Sequence, residues 1–217
     1  MLYMIRHGQT AKNKEMLLQG RSDLALNETG ILQAQEAARR FRERGIRFDV
    51  VYCSPLRRAR ETADLLLEGT AGDGEKPPVI TDERLLEIDY GPYEGLGLRS
   101  LPPAVLTFFE DFINNPAPEG MEPLSSVVER AGAFLEEIRE EAAEKNVLLS
   151  IHAIIMKGAL EYLTPDSRGS YWYTFLGNCE AYAAEVHQGQ YSVPERLFRG
   201  VSDTEAKAVF DGSVTGH

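Results

Sequence analysis

Leu2-Tyr3-Met4-Ile5-Arg6-His7-Gly8-Gln9-Thr10 decides how the chain is read. Four apolar residues in a row suit a strand buried on both faces. The run ends abruptly in an arginine, a histidine and a glycine. In open α/β sheets, ligands bind outside the carboxyl ends of the strands. Charge on Arg6 and close backbone approach at Gly8 suit an anion there, and His7 is left as a nucleophile or base.

Working outward, two further apolar runs end in the same way. Asp49-Val50-Val51-Tyr52-Cys53 stops at Ser54-Pro55, with Arg57 and Arg58 just beyond, and Val147-Leu148-Leu149-Ser150-Ile151 stops at His152. Helical spacing lies between them. Ile31, Ala34, Ala38 and Phe41 recur on one face, with Asn27 as N-cap and Gly45 as stop. A helix follows from about Leu56 to Glu68, with Pro55 at its entrance, and its N-terminal N–H groups would add to an anion site. Glu122 to Lys145 and Ile154 to Leu163 are two more helices, and Val79-Ile80 is a short strand. Cys179–Val186 and Tyr191–Phe198 form a last hairpin around residues 187–190. Strand–helix alternation of this kind predicts an α/β fold of three layers, α/β/α, around a mostly parallel sheet. Pro92 to Gly120 reads as a small insertion with an apolar helical piece around Val105 to Ile113, placed over the sheet ends as a lid. The expectation is one domain over residues 1–198, with the lid at about 92–120, followed by a tail at 199–217 made of a short helix and a disordered end.

The net charge of −11 over 217 residues argues against binding nucleic acid or an acidic membrane. It does not exclude a small anion held by clustered arginines, because salt screens distant charges. Apolar runs fall far short of the ~20 residues that cross a bilayer. The first strand starts at residue 2, so no leader peptide is expected. Cys53 and Cys179 are far apart and lack metal-ligand spacing. Cys53 sits in an apolar strand and reads as a buried free thiol, so the expected compartment is the cytoplasm. Convergence of two histidines and several arginines on one sheet edge gives, from residues alone, a phosphate or carboxylate site with a nucleophilic histidine.

At this point four motifs in register resemble the histidine phosphatase superfamily, the phosphoglycerate mutase-like family. Arg6-His7-Gly8-Gln9-Thr10 with Asn13 is similar to its signature, and Gln19-Gly20-Arg21-Ser22-Asp23 to the stretch that follows it. Ser54-Pro55-Leu56-Arg57-Arg58-Ala59-Arg60-Glu61-Thr62-Ala63 resembles the second arginine motif, and Arg84-Leu85-Leu86-Glu87 with Tyr90-Gly91 and Glu94-Gly95 the acid-bearing segment. The resemblance spans about residues 2–186. It implies that His7 becomes a phosphohistidine, with its other ring nitrogen held by the Gly8 carbonyl. Arg6, Arg58 and His152 would cage the phosphoryl oxygens, and Glu87 would act as general acid and then base. Asn13, Gln19, Gly20, Gly8 and Ala153 are carried over as substrate or phosphate contacts, and Tyr90 as a pocket wall. No metal and no cofactor is implied.

The remaining candidates are weighed against these. Asp89 and Glu94 are alternative acids to Glu87. Arg57 and Arg60 read as surface arginines, His187 as a turn residue, and Trp172 as packing. Three departures from the family pattern stand out. Ala153 replaces the glycine that usually follows the second histidine, so a backbone contact to phosphate there is in question. Gln9 stands where the mutases have glutamate. The insertion offers only Arg99 beside Phe108, Phe109 and Phe112, where the mutases carry more basic residues. This favours a metal-independent phosphomonoesterase of the histidine acid phosphatase type, acting on a small phosphorylated metabolite with an apolar or uncharged remainder. The alternatives are a cofactor-dependent phosphoglycerate-type mutase, or a non-catalytic phospholigand-binding module on the same fold. The expected partner is the small phosphorylated substrate, with neither nucleic acid nor membrane, and the oligomeric state is open, a homodimer included.

Overall fold

The computed structural model describes residues 1–70 and 76–200. Its centre is the opening stretch. Strand β1 (Leu2–Arg6) lies in the middle of a six-stranded sheet. Helix α1 (Ala11–Lys14) and helix α2 (Glu28–Glu43) follow it, then β2 (Val50–Cys53), α3 (Arg57–Thr70), β3 (Val79–Thr81), α4 (Pro103–Glu110) and α5 (Leu124–Glu144). Strand β4 (Val147–Ile151), helix α6 (Ala153–Leu163) and strands β5 (Ala181–Ala184), β6 (Val186–His187), β7 (Gln190–Tyr191) and β8 (Glu195–Phe198) complete the described chain. The sheet order is β3-β2-β4-β1-β5-β8. The pairs from β3 through β1 are parallel, while β1–β5 and β5–β8 are antiparallel.

Alternation along β1 divides the core in two. Leu2 and Met4 face α5 and α6 in one cluster with Val127, Leu135 and Ile155. Tyr3 and Ile5 face the other side, with Ala34, Ala38 and Phe41 of α2 and Leu66 of α3. A strand whose neighbouring residues both meet helices must be apolar throughout, which is why β1 reads as a continuous run. The three layers expected from the sequence are present.

Local signals act where they were read. The Asn27 side chain accepts the Gly30 N–H (2.8 Å), and α2 ends in a left-handed Gly45 (φ 68°). There Ile46 N–H reaches Phe41 O (3.0 Å) and Gly45 N–H reaches Arg42 O (2.9 Å), a Schellman ending. The last hairpin turns through Gln188 (φ 51°) and Gly189 (φ 73°), the paired positive φ of a two-residue turn matched to strand twist.

The expected hairpin is split, with β5 paired to β8 in the main sheet and β6 to β7 in a separate two-stranded ladder, and helix boundaries moved as well. Helix α3 opens at Arg57, one residue later than expected, and Pro55 stays outside it. The insertion helix is Pro103–Glu110, shifted toward its prolines. Pro103 presets the first turn, and Asp111 leaves helical geometry (φ −147°, ψ 90°). The Asp111 carboxylate then accepts from the N–H groups of Ile113 and Asn114 (3.1 and 3.0 Å), which stops the helix there. Phe108 is buried in the α5–α6 core, whereas Phe109 is only half-buried. The tail expected at 199–217 lies outside the described residues from 201 onward.

Candidate active site

Register places the two histidines together. β1 and β4 are parallel with Arg6 opposite Ile151, so the next residues, His7 and His152, emerge side by side. His7 N–H still bonds Ile151 O (2.9 Å), and the two rings lie edge to face at 5.0 Å. On the other side of β4, Cys53 of β2 is opposite Ser150, and the chain beyond it delivers Arg58 from the first turn of α3.

Arg58 is the largest fully buried side chain among the described residues and ties the centre together. Its Nε–H lies 3.2 Å from His7 Nε2 and 3.0 Å from His152 Nδ1. Its other nitrogens donate to Ser22 O (2.8 Å) and Gly20 O (2.6 Å). Burial is the main cause that pulls its pKa down to about 10, so it remains a cation at neutral pH. His7 Nδ1 lies 2.7 Å from Gly8 O. A carbonyl only accepts, so Nδ1 carries the proton and Nε2 keeps a lone pair. Burial, then Arg58 and Arg6, hold the His7 pKa well below the ordinary 6.5. His152 is held low for the same reasons, with His7 among its neighbours. Because its Nδ1 accepts from Arg58, His152 presents a buried Nε2–H that has no protein partner, and Arg6 Nε is a second such donor. Donors of this kind suit an anion that brings its own acceptors.

Glu87 meets the same place from another direction. Its Oε1 accepts from the N–H groups of Ile88 (3.1 Å), Ile154 (3.0 Å) and Ile155 (3.1 Å), while Oε2 has only a longer bond from Ile154 (3.2 Å). The carboxylate therefore caps α6, whose own N-cap residue, His152, makes no side-chain cap. The rival acids are occupied elsewhere. Glu94 binds Gly20 N–H (2.8 Å), Ser22 Oγ (2.5 Å) and Lys12 Nζ (3.0 Å). Asp89 lies near Arg21 and accepts from Gly91 N–H (2.8 Å).

An open cleft of about 1140 Å³, counting the space at its mouth, lies over this centre. Arg6, Asn13, Gln19, Glu87, Tyr90 and Ala153 line it, as expected from the sequence. His7, Arg58 and His152 do not themselves border the cleft; they are buried next to the Arg6 and Ala153 that do. The insertion supplies Leu98, Leu101, Phe109 and Phe112 to the wall. Asn13 also closes a capping box with Thr10, and its Oδ1 lies 3.4 Å from Asn178 Nδ2. Tyr90 is buried, with its phenol pushed up by desolvation first and then by the Glu87 carboxylate, so it stays protonated. Ala153 is the first residue of α6, and its methyl coexists with the Glu87 cap.

Three expectations are corrected. The Gly8 N–H is taken by Thr62 Oγ1 (3.1 Å) and so is not a free donor for substrate. A Cβ on Gly8 would fall 2.4 Å from Gly30 O, so glycine is required there for close packing on α2, and its carbonyl orients His7. The Gly20 N–H is taken by Glu94 and its carbonyl by Arg58, so Gly20 positions Arg58 and is not a backbone donor for substrate. The N-terminus of α3 is closed by Asp23, which accepts the Arg57 N–H (2.6 Å); the helix start at the cleft is that of α6. Arg57 and Arg60 are exposed and Trp172 is core, as read; His187 is exposed beside Glu185 but ends strand β6, one residue before the turn in which it was expected.

Asn178 and Lys157 line the cleft and were missed. Asn178 Nδ2 bonds His7 O (3.0 Å) just before Cys179, whose φ is 55°. A lone lysine inside the apolar stretch Ala-Ile-Ile-Met-Lys-Gly-Ala-Leu was the available signal for Lys157. Among the described residues no group of three or more His, Cys, Asp or Glu side chains is placed to hold a metal ion, and no helix is long and apolar enough to cross a membrane.

Residues 2–196 match the model of the histidine phosphatase superfamily (branch 1). A putative phosphoserine phosphatase 2 of Hydrogenobacter thermophilus is 31% identical over 189 residues, covering 86% of this chain and 88% of that protein. A 2,3-bisphosphoglycerate-dependent phosphoglycerate mutase of Methylobacterium is 45% identical, but over 96 residues, 44% of this chain and 45% of the mutase. The crystal structure of phosphoserine phosphatase from Entamoeba histolytica, in complex with 3-phosphoglyceric acid, superposes with a TM-score of 0.75 at 25% identity, over 93% of this chain and 97% of that one. The match runs from the Arg6-His7 strand end through the His152 strand end to the last hairpin: the chain belongs to the histidine phosphatase superfamily, branch 1.

Proposed function

We propose that the chain hydrolyses phosphomonoesters through a phosphohistidine on His7 Nε2. The observation that carries this reading is the fixed tautomer of His7: Nδ1–H is bound to Gly8 O, which leaves the lone pair on Nε2, where it accepts from Arg58 Nε–H beside His152. In the first displacement the Nε2 lone pair forms the N–P bond as the P–O bond to the alcohol breaks. A substrate that arrives as its monoanion brings the proton, which Glu87 relays to the departing oxygen. In the second, Glu87 takes a proton from water, whose oxygen attacks phosphorus and returns His7 to its neutral form. Arg58 Nε, Arg6 Nε and His152 Nε2–H donate to the phosphoryl oxygens as charge moves onto them.

Hydrolysis is favoured over a mutase reaction by what surrounds the cleft. Its insertion wall is apolar, and a relative named as a putative phosphoserine phosphatase matches over 86% of this chain. The arginines supply the positive charge that a metal ion would otherwise bring, which supports a metal-independent phosphomonoesterase of the histidine acid phosphatase type. Cys53 and Cys179 are both buried free thiols, which fits the reducing cytoplasm. Enzyme passed through a chelating column is expected to release inorganic phosphate from a panel of monoesters at an undiminished rate. A rate restored only by added divalent metal contradicts this, and isomerised phosphoglycerate in place of free phosphate turns the reading toward a mutase.

Glu94 is the positioning residue in this scheme. It holds the Gly20 N–H and the Ser22 hydroxyl, and the carbonyls of those two residues fix the Arg58 fork. In Glu94→Gln one oxygen becomes an NH2 group, so either the Gly20 N–H or Lys12 Nζ is left facing a donor. A fall in kcat of about 10- to 100-fold with little change in KM is expected, at a stability cost of about 1–3 kcal/mol. An unchanged kcat would show that the loop holds Arg58 without Glu94.

A further inference from the structure

Lys157 plays no part in the chemistry above, yet it is buried (3% exposed) and lines the cleft. Its Nζ donates to Trp172 O (2.9 Å) and lies 5.8 Å from the centre of the Phe112 ring. Burying an ammonium group is costly, and an apolar side chain of the same length would fill the space without that cost. The charged residues lining the cleft are Arg6, Glu87 and Lys157. Glu87 is bound into the first turn of α6, so the balance at the floor is positive while the walls are apolar. Ala153 and Lys157 are four residues apart on α6, one turn or ~6 Å along its axis, and both reach the cleft. His152 stands at the start of the same helix.

We infer that Lys157 is a specificity residue that binds an anionic group on the leaving alcohol, so the favoured substrates are phosphomonoesters carrying a carboxylate a few bonds from the ester oxygen. This replaces the uncharged remainder expected from the sequence, and it rests on the phosphatase reading. The phosphoryl group sits against His7, and the second anion sits about one helical turn away, a separation that a two- or three-carbon chain spans. Trp172 O and the Phe112 face hold the ammonium at the wall in the meantime. Burial, then Arg6, lowers its pKa to about 7, with Glu87 opposing. An anion arriving beside it favours the charged form.

The test compares 3-phosphooxypropanoate with n-butyl phosphate, close in length but with and without a carboxylate. The parent enzyme is expected to prefer the acid in kcat/KM by about 10- to 100-fold, the range for a charged hydrogen bond. Lys157→Met is expected to remove most of that preference, and Lys157→Arg to keep part of it. The parent alone gives an independent readout. Raising the pH from 7 to 8.5 discharges Lys157, so KM for the acid rises by about tenfold relative to KM for the butyl ester. Both esters share His7 and the phosphate ionisation, so the ratio isolates Lys157. No preference in the parent, a pH-independent ratio, or equal losses for both esters in Lys157→Met would each overturn the inference. Calorimetric Kd values read the same ratio without turnover. A chain that binds both esters and hydrolyses neither would fail as a phosphatase, while the Kd ratio would still decide the role of Lys157.

Discussion

His7→Ala is expected to lower phosphate release by roughly 10,000-fold or more, the scale seen when a covalent nucleophile is removed. The reason lies in how little else can attack. Among the groups buried beside the cleft, the second histidine has Nδ1 occupied by Arg58 and carries its proton on Nε2, so it cannot substitute without changing tautomer. The fold should survive, because the bonds that place this segment run to backbone atoms: His7 N–H to Ile151 O and Asn178 Nδ2 to His7 O. A stability loss of about 1–2 kcal/mol is expected, with binding of inorganic phosphate retained through Arg6, Arg58 and His152. Retention of even a tenth of the parent rate, measured on protein that melts normally, would mean that another group attacks phosphorus.

Arg58→Lys is expected to be nearly as damaging although it keeps the charge. A guanidinium reaches four acceptors at once here: His7 Nε2, His152 Nδ1, Ser22 O and Gly20 O. An ammonium has three protons at one point and cannot span the two carbonyls and the histidine pair. One or more buried acceptors is then left unpaired, at about 1–3 kcal/mol each in stability. Loss of the aligned Nε donor should also lower kcat by about 100- to 1000-fold, as for removal of one donor to a developing anion. A single variant therefore moves both melting and kcat. A lysine variant with normal kcat would show that charge alone is needed at this position.

What the sequence discloses follows from where the information is stored. Strands buried on both faces and helices with one apolar stripe write their pattern locally, so β1, β2, β4, α2 and α5 are legible within a few residues. Arg6, His7 and His152 follow from them, since each stands at a strand end, and parallel register does the rest; Arg58 is separated from Arg57 and Arg60 only by the family pattern. Glu87 has no such signature. It lies after a short 3₁₀ turn and is recognisable only through the family pattern, because its place is set by the N-terminus of α6, 67 residues later in the chain. Gly8 and Gly20 were misassigned for a related reason. Composition indicates that a backbone comes close to something there, but not whether that is a ligand or Gly30 and Glu94. The insertion helix was displaced because its apolar residues continue past Asp111, whereas the backbone obeys the Asp111 side chain. Lys157 was hidden by periodicity, since it sits in an apolar helix whose other cleft-facing residues read as core.

Covalent transfer of phosphorus to His7 Nε2 is seen by a millisecond quench into alkali during turnover of a monoester, followed by intact-mass analysis and peptide mapping, since phosphohistidine survives base and is lost in acid. One phosphoryl group is expected on the peptide containing His7, appearing before free phosphate reaches its steady rate and absent from His7→Ala. Rapid phosphate release with no phosphorylated peptide at any quench time, or a phosphoryl group found on His152, would contradict it.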